Sequence, residues 1–225
     1  MYQFVTGPLA WIAFTVFFVG IIARAVLYIR GLNWQMDRVA YRPYLRQGIR
    51  GAVRSIGYWL LPYGTQSWRN NPFFTMLVFL LHIGLLLTPV FLLGHNVLLQ
   101  ERWGFSLPTI SESAADLLTI LVIVTAVFLV LRRIALTEVR IITDVHDYLI
   151  IAIAVAPFIT GLIAHYQVGN YQFWLILHIL CGELLLVAIP FTKLSHFILF
   201  FMSRAQLGMD YGIKRGGMKG KGLAW

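Results

Sequence analysis

His178 and His196 lie eighteen residues apart in one apolar stretch running from Tyr171 to Met202. Imidazole binds iron and carries protons near neutral pH, and it is costly inside a bilayer unless something uses it. On a continuous helix, eighteen steps of 100° make five whole turns. Both rings would then leave one face, roughly 27 Å apart at about 1.5 Å per residue. A bilayer's hydrocarbon core is ~30 Å thick, so one histidine is expected near each membrane surface. The chemistry that calls for such a placement is a haem near each leaflet, with imidazoles as axial ligands.

The other four histidines supply the facing candidates. His82 lies in the inner half of the second apolar run, and His95 closes that run at its outer end. His146 and His165 bracket the fourth run. Sorted by depth, His82, His146 and His196 are inner candidates, while His95, His165 and His178 are outer ones. A lone histidine on an apolar face is more often a hydrogen-bonded core residue, but four at paired depths on two helices are harder to explain that way. The outer partner of His178 stays open between His95 and His165. On a straight helix His95 is turned about 140° from His82 and advances only ~20 Å, a mismatch that Pro89 and Gly94 can relieve by bending the helix. His146, within Thr143–Asp147, suits a solvated or helix-capping role. Lys193, three residues before His196, is a candidate partner for a haem propionate, and Arg24 either snorkels or does the same. Glu183 is either a protonated acid hydrogen-bonded within the bundle or a proton carrier to a quinone.

Composition fixes the setting. Of 225 residues, 59% are hydrophobic and 12% charged, which no water-soluble domain could cover with a polar surface. The expected fold is all-α: a single polytopic membrane domain over 1–225, with spans at about 5–28, 73–99, 115–133, 146–166 and 172–202. No basic leader or cleavage site precedes the first run, which is expected to be a retained span. One cysteine, Cys181, leaves no intrachain disulfide, Cys-ligated cluster or Cys-based zinc site from this chain alone.

The formal charge is +9, and its distribution points to topology rather than to nucleic acid. Loop 30–72, the connection holding Arg132, Arg133 and Arg140, and the tail 203–225 carry the basic residues. Across the membrane only Arg102 is basic. The N-terminus is therefore expected outside and the C-terminus inside. In the first loop, Arg38, Arg42, Arg46, Arg50 and Arg54 recur at every fourth residue, with Pro43 marking a start or break. Such a row suits anionic lipid head groups or an acidic partner subunit.

The span-five residues Leu177-His178-Ile-Leu-Cys-Gly182 and Pro190-Phe-Thr-Lys-Leu-Ser-His196 resemble the membrane cytochrome b family of the respiratory nitrate reductase gamma subunit. Leu81-His82-Ile-Gly84, Arg132-Arg133 and Val139-Arg140 extend the likeness over most of the chain from span two onward. The resemblance implies two b haems, the inner one on His82 and His196 and the outer one on His178. The chain departs from that family at two places. Leu92 stands where the second histidine of span two falls, and Glu112 where the quinol-site lysine falls. With the later His95 it is more similar to cytochromes b in transmembrane redox complexes of sulfate-reducing bacteria. Those complexes join a periplasmic multihaem cytochrome c to a cytoplasmic iron–sulfur subunit.

The expected function is a dihaem cytochrome b subunit carrying electrons across the membrane beside other membrane subunits, with menaquinone as a further ligand to consider. The alternatives are a quinol-oxidising anchor of a respiratory reductase and a haem-free scaffold or transporter.

Overall fold

The computed structural model describes residues 2–32 and 43–214. Arg38 and Arg42 of the arginine row, and Arg215, Lys219 and Lys221 of the tail, lie outside the described residues. All regular structure among the described residues is helical. Five helices are long and apolar enough to cross a membrane: α1 (Tyr2–Gly31), α4 (Pro72–Phe91), α6 (Glu112–Ala135), α8 (Val145–His165) and α9 (Tyr171–Phe191). This is the pattern of a multi-pass membrane protein. Between and after them run α2 (Leu45–Leu60), α3 (Gln66–Asn70), α5 (Leu93–Trp103), α7 (Thr137–Arg140) and α10 (His196–Lys214).

Local chemistry explains the boundaries. Pro72 begins α4, where its missing N–H costs nothing. Ser111 caps α6 by accepting from Ala114 N, while Glu112 in its first turn and Arg132 and Arg133 in its last suit the helix dipole. Asp144 and Asp147 form a reciprocal capping box at the start of α8. Gly104, at φ +74°, ends α5 in the left-handed region that favours glycine.

Two expected spans are each broken. The run expected at 73–99 stops at Phe91 and restarts at Leu93, with Leu92 extended at ψ 133°. The run expected at 172–202 stops at Phe91's counterpart in α9, Phe191. A short 3-10 turn, Lys193–Ser195, follows before α10 begins at His196. His178 and His196 therefore do not share one helix, and the five-turn register between them does not hold. Thr192 is extended, at φ −119° and ψ −176°, and its hydroxyl accepts from Leu194 N, so the residue restarts the helix instead of continuing it.

The chain forms two compact units. One comprises Met1–Trp11 and Met76–Leu185. Its core is Val122, Ala126, Val155 and Phe158, backed by Leu81, Leu85, Ile123 and Ile151. Gly84 brings α4 so close to α6 that a Cβ there would strike the Val122 side chain. The buried hydroxyls of Thr119, Thr125 and Thr160 each donate to a carbonyl four residues back, so they cost little in an apolar setting.

The other unit comprises Ile12–Thr75 and Leu186–Trp225. Here α2 and α10 pack backbone to backbone through Gly51, Gly208 and Gly212. A Cβ on Gly212 would lie 2.9 Å from Gln47 O and 3.1 Å from Gly51 Cα, so no side chain fits in the seam. Gly20 of α1 receives the Pro190 ring, and the Arg24 Nε donates to Pro190 O at 2.8 Å. The Tyr28 hydroxyl donates to the Gln206 side chain at 2.6 Å. Along the spans, large apolar side chains such as Phe18, Ile22, Leu117 and Val127 are exposed, as lipid-facing positions must be.

Candidate functional site: the histidines and the backbone that aims them

The break at Leu92 strands three carbonyls of the last turn of α4, and each finds a donor. His95 Nδ1 bonds Pro89 O at 2.8 Å, and the Asn96 side-chain amide donates to Val90 O at 2.9 Å. Ile110 N donates to Phe91 O at 3.0 Å. Asn96 also donates to Leu92 O and accepts from Leu107 N at 2.8 Å, tying the loop after α5 to the break. At 2% exposed, Asn96 is among the most buried residues of the chain. A buried amide with both its N–H groups and its oxygen engaged contributes more than its surface counterpart, because water competes less for those bonds.

This rewound segment delivers His95 to His178. Their ring centroids are 5.9 Å apart, with planes only 14° from parallel. His178 is anchored in the same way as His95, with Nδ1 2.8 Å from Pro157 O. That carbonyl belongs to α8. It lies within reach because Gly161, one turn on, has no side chain, and a Cβ there would come within 2.9 Å of the imidazole. A carbonyl can only accept, so in both residues Nδ1 carries the hydrogen. In the neutral ring Nε2 is then the lone-pair nitrogen, the one that can bind a metal.

The competing outer candidate is placed differently. His165 ends α8, with its Nε2 3.7 Å from Asp116 and its ring packed edge-on against Tyr166 at 5.1 Å. Asp116 also accepts from the Tyr166 hydroxyl at 2.9 Å, and the carboxylate's hold on that proton raises the phenol above its ordinary pKa.

His82, in α4, bonds its Nδ1 to Val78 O at 2.7 Å. His196 opens α10 with Nδ1 3.0 Å from Lys193 O. Four histidines therefore share one device, a backbone carbonyl that fixes the tautomer. His196 also lines a cleft of about 350 Å³ with Tyr28, Trp59, Phe200 and Arg204, where the Arg204 guanidinium lies 4.7 Å from the centre of the Trp59 ring. Lys193 is exposed in the 3-10 turn before His196. His146 is exposed near the start of α8. Glu183 is buried, and neither carboxyl oxygen has a hydrogen-bond partner among the described residues.

Over 226 residues and the full length of both chains, the sequence is 57% identical to a protein of Nitratidesulfovibrio vulgaris strain Hildenborough. The two belong to one family. No family model matches the chain, and no solved structure does.

For this family member, sequence reasoning missed Asn96 and Gly161, the residues that let His95 and His178 meet. Both left a signal. Asn96 is an amide directly after a histidine at the end of an apolar run, and Gly161 lies inside a helical run, where glycine weakens a helix unless close approach needs it.

Proposed function

We propose that this protein is a dihaem cytochrome b subunit that carries electrons across a bacterial inner membrane. The observation that carries the reading is the His95–His178 pair. Two imidazoles that each bound one metal ion through a bond of about 2 Å, with roughly one ångström more from nitrogen to ring centre, would have centroids about 6 Å apart. The 5.9 Å separation fits that requirement, and so do the two Nδ1 hydrogens committed to carbonyls. Among the described residues no three His, Cys, Asp or Glu side chains gather as they would around a metal held by protein alone. A haem iron needs only two, because the porphyrin supplies the other four nitrogens.

When bound, each haem supplies one-electron transfer at its iron. The chain's own residues do the rest. Pro89 O and Pro157 O would hold the two imidazoles in the tautomer that leaves Nε2 to bind iron, and the apolar helices would limit access of water. For the inner haem the reading rests on the sequence pattern, with His82 and His196 as ligands and Lys193 as a propionate partner. His165, engaged with Asp116, is not assigned a haem. The N-terminus would lie outside and the C-terminus inside. The outer haem would then meet a periplasmic multihaem cytochrome c or menaquinone, and the inner one a cytoplasmic iron–sulfur subunit. The relative's origin in a sulfate reducer accords with this setting. The protein would act as a subunit, beside other membrane subunits, rather than as an enzyme alone.

Haem b per polypeptide, measured by pyridine haemochrome on the purified protein, tests the reading. Wild type and His165→Ala should each hold two haems, and His95→Ala one. Folded wild-type protein without haem would overturn it in favour of a scaffold or transporter.

A further inference from the structure

We infer that α2 lies in the plane of the membrane interface and binds the phosphate groups of anionic phospholipids through Arg46 and Arg50. Three faces of this helix carry the case. Gly48, Gly51 and Ser55 are buried, and Gly51 meets Gly208 of α10, so that face is already occupied. Leu45, Ile49, Val53 and Leu60 make a second face, each about half exposed or more, with Val53 at 66%. Arg46 and Arg50 flank it on the side away from the seam, and both are exposed. Helical geometry places the apolar set within about 80° of arc and the two arginines beside it.

An apolar stripe edged by guanidinium groups is what a helix shows when half of it dissolves in acyl chains and half faces head groups. The composition of α2 selects the partner. The helix has no Asp or Glu, and Arg46 and Arg50 make no ion pair among the described residues. Arg46 and Arg50 are therefore open to an external anion, and phosphate accepts two parallel hydrogen bonds from a guanidinium. The aromatic residues agree. At the C-terminal end of α2, Trp59 packs edge-on against Trp68 of α3 at 5.6 Å, and Arg54 lies 5.2 Å from the Tyr58 ring. Tyrosine and tryptophan gather where one end of a side chain is in lipid and the other in water. The glycine seam with α10 then acts as the mooring that holds an otherwise surface-seeking helix in one orientation.

Two readouts on the full chain test this, and neither depends on haem. With Cys181→Ala removing the one native thiol, a nitroxide on Val53→Cys is placed in phosphatidylcholine nanodiscs with and without phosphatidylglycerol. Its collisions should favour oxygen over a water-soluble nickel chelate in both. Collisions dominated by nickel would overturn the interfacial placement and leave the stripe to a protein partner. Native mass spectrometry from mixed micelles should show phosphatidylglycerol retained over phosphatidylcholine. That preference should fall about five-fold for each arginine changed to glutamine at Arg46 and Arg50, and Arg46→Lys with Arg50→Lys should keep most of it. An unchanged preference in the glutamine variants would overturn the phosphate assignment and favour an acidic subunit on that row.

Discussion

The two helix breaks solve the same problem with different chemistry. After Phe91 the freed carbonyls are taken by groups from the chain just beyond: the His95 ring, the buried Asn96 amide and Ile110 N. After Phe191 the freed Pro190 O is taken by a charged group from far away in sequence, Arg24 of α1, while Thr192 and Ser195 satisfy the turn locally. A histidine follows each break: His95 bonds a carbonyl of the helix before it, six residues back, and His196 bonds one of the restarting turn, three residues back. At the first break one side chain, Asn96, makes three hydrogen bonds. At the second the Thr192 hydroxyl makes two, and the Arg24 and Ser195 side chains make one each. A structure that depends on one multiply bonded amide should fail sharply when it is removed, whereas a shared one should fail by degrees.

Asn96→Ala is the harshest test of that contrast. It strips the donor from Val90 O, one of two donors from Leu92 O and the acceptor from Leu107 N, around a side chain that is itself 2% exposed. At about 1–3 kcal/mol for each buried group left unsatisfied, and with partial relaxation, a loss of about 3 kcal/mol is expected. Thermal unfolding measures it. Because His95 leaves the same rewound turn, the proposed outer haem should be lost or its axial spectrum broadened while the inner one stays. A variant that unfolds at the wild-type temperature would show that the first break does not hang on this amide.

Much of this was legible in the sequence, and what was not has a physical reason. Five apolar runs were readable because membrane thickness sets a length that hydropathy can count. The break at Thr192 was not, since leucine and phenylalanine on both sides keep the average high while one residue turns extended. Pro190, Thr192 and Ser195 were the available cues, but a length criterion ignores them. The break at Leu92 was partly foreseen, because Pro89 marked the place. The rotation of about 140° between His82 and His95 holds only for a straight helix, and the helix ends before His95. The α2–α10 seam escaped because it joins a loop and a tail far apart in the chain, each read only for its charge. Gly48 and Gly51, and Gly208 and Gly212, have the spacing of close helix contacts.

Arg24→Met probes the second break by keeping the apolar stem and deleting the donor to Pro190 O. A hydrogen bond from a charged group is worth about 1.5–3 kcal/mol, but the substitution also relieves a half-buried cation of its desolvation cost. A net loss of about 1 kcal/mol is expected, visible as a modest fall in unfolding temperature. Haem content should stay at the wild-type value if Thr192 and Ser195 hold the turn. A fall as large as that of Asn96→Ala would mean that this break too depends on one residue.

Thr192→Val should be the mildest. It keeps the shape and removes the hydroxyl that accepts from Leu194 N at 3.2 Å and donates to Ala188 O at 2.8 Å. Loss of a cap of this kind costs about 1 kcal/mol, and valine tolerates the extended backbone that Thr192 already adopts. Ser195 still donates to the carbonyl of residue 192, so the turn keeps one of its own ties. Combined with Arg24→Met, the losses should add if the two groups hold the break independently, each satisfying a different backbone group. A combined loss well above the sum, read from the same unfolding curves, would show that one substitutes for the other when it is missing. The second break would then be shared in fact and not only in its list of bonds.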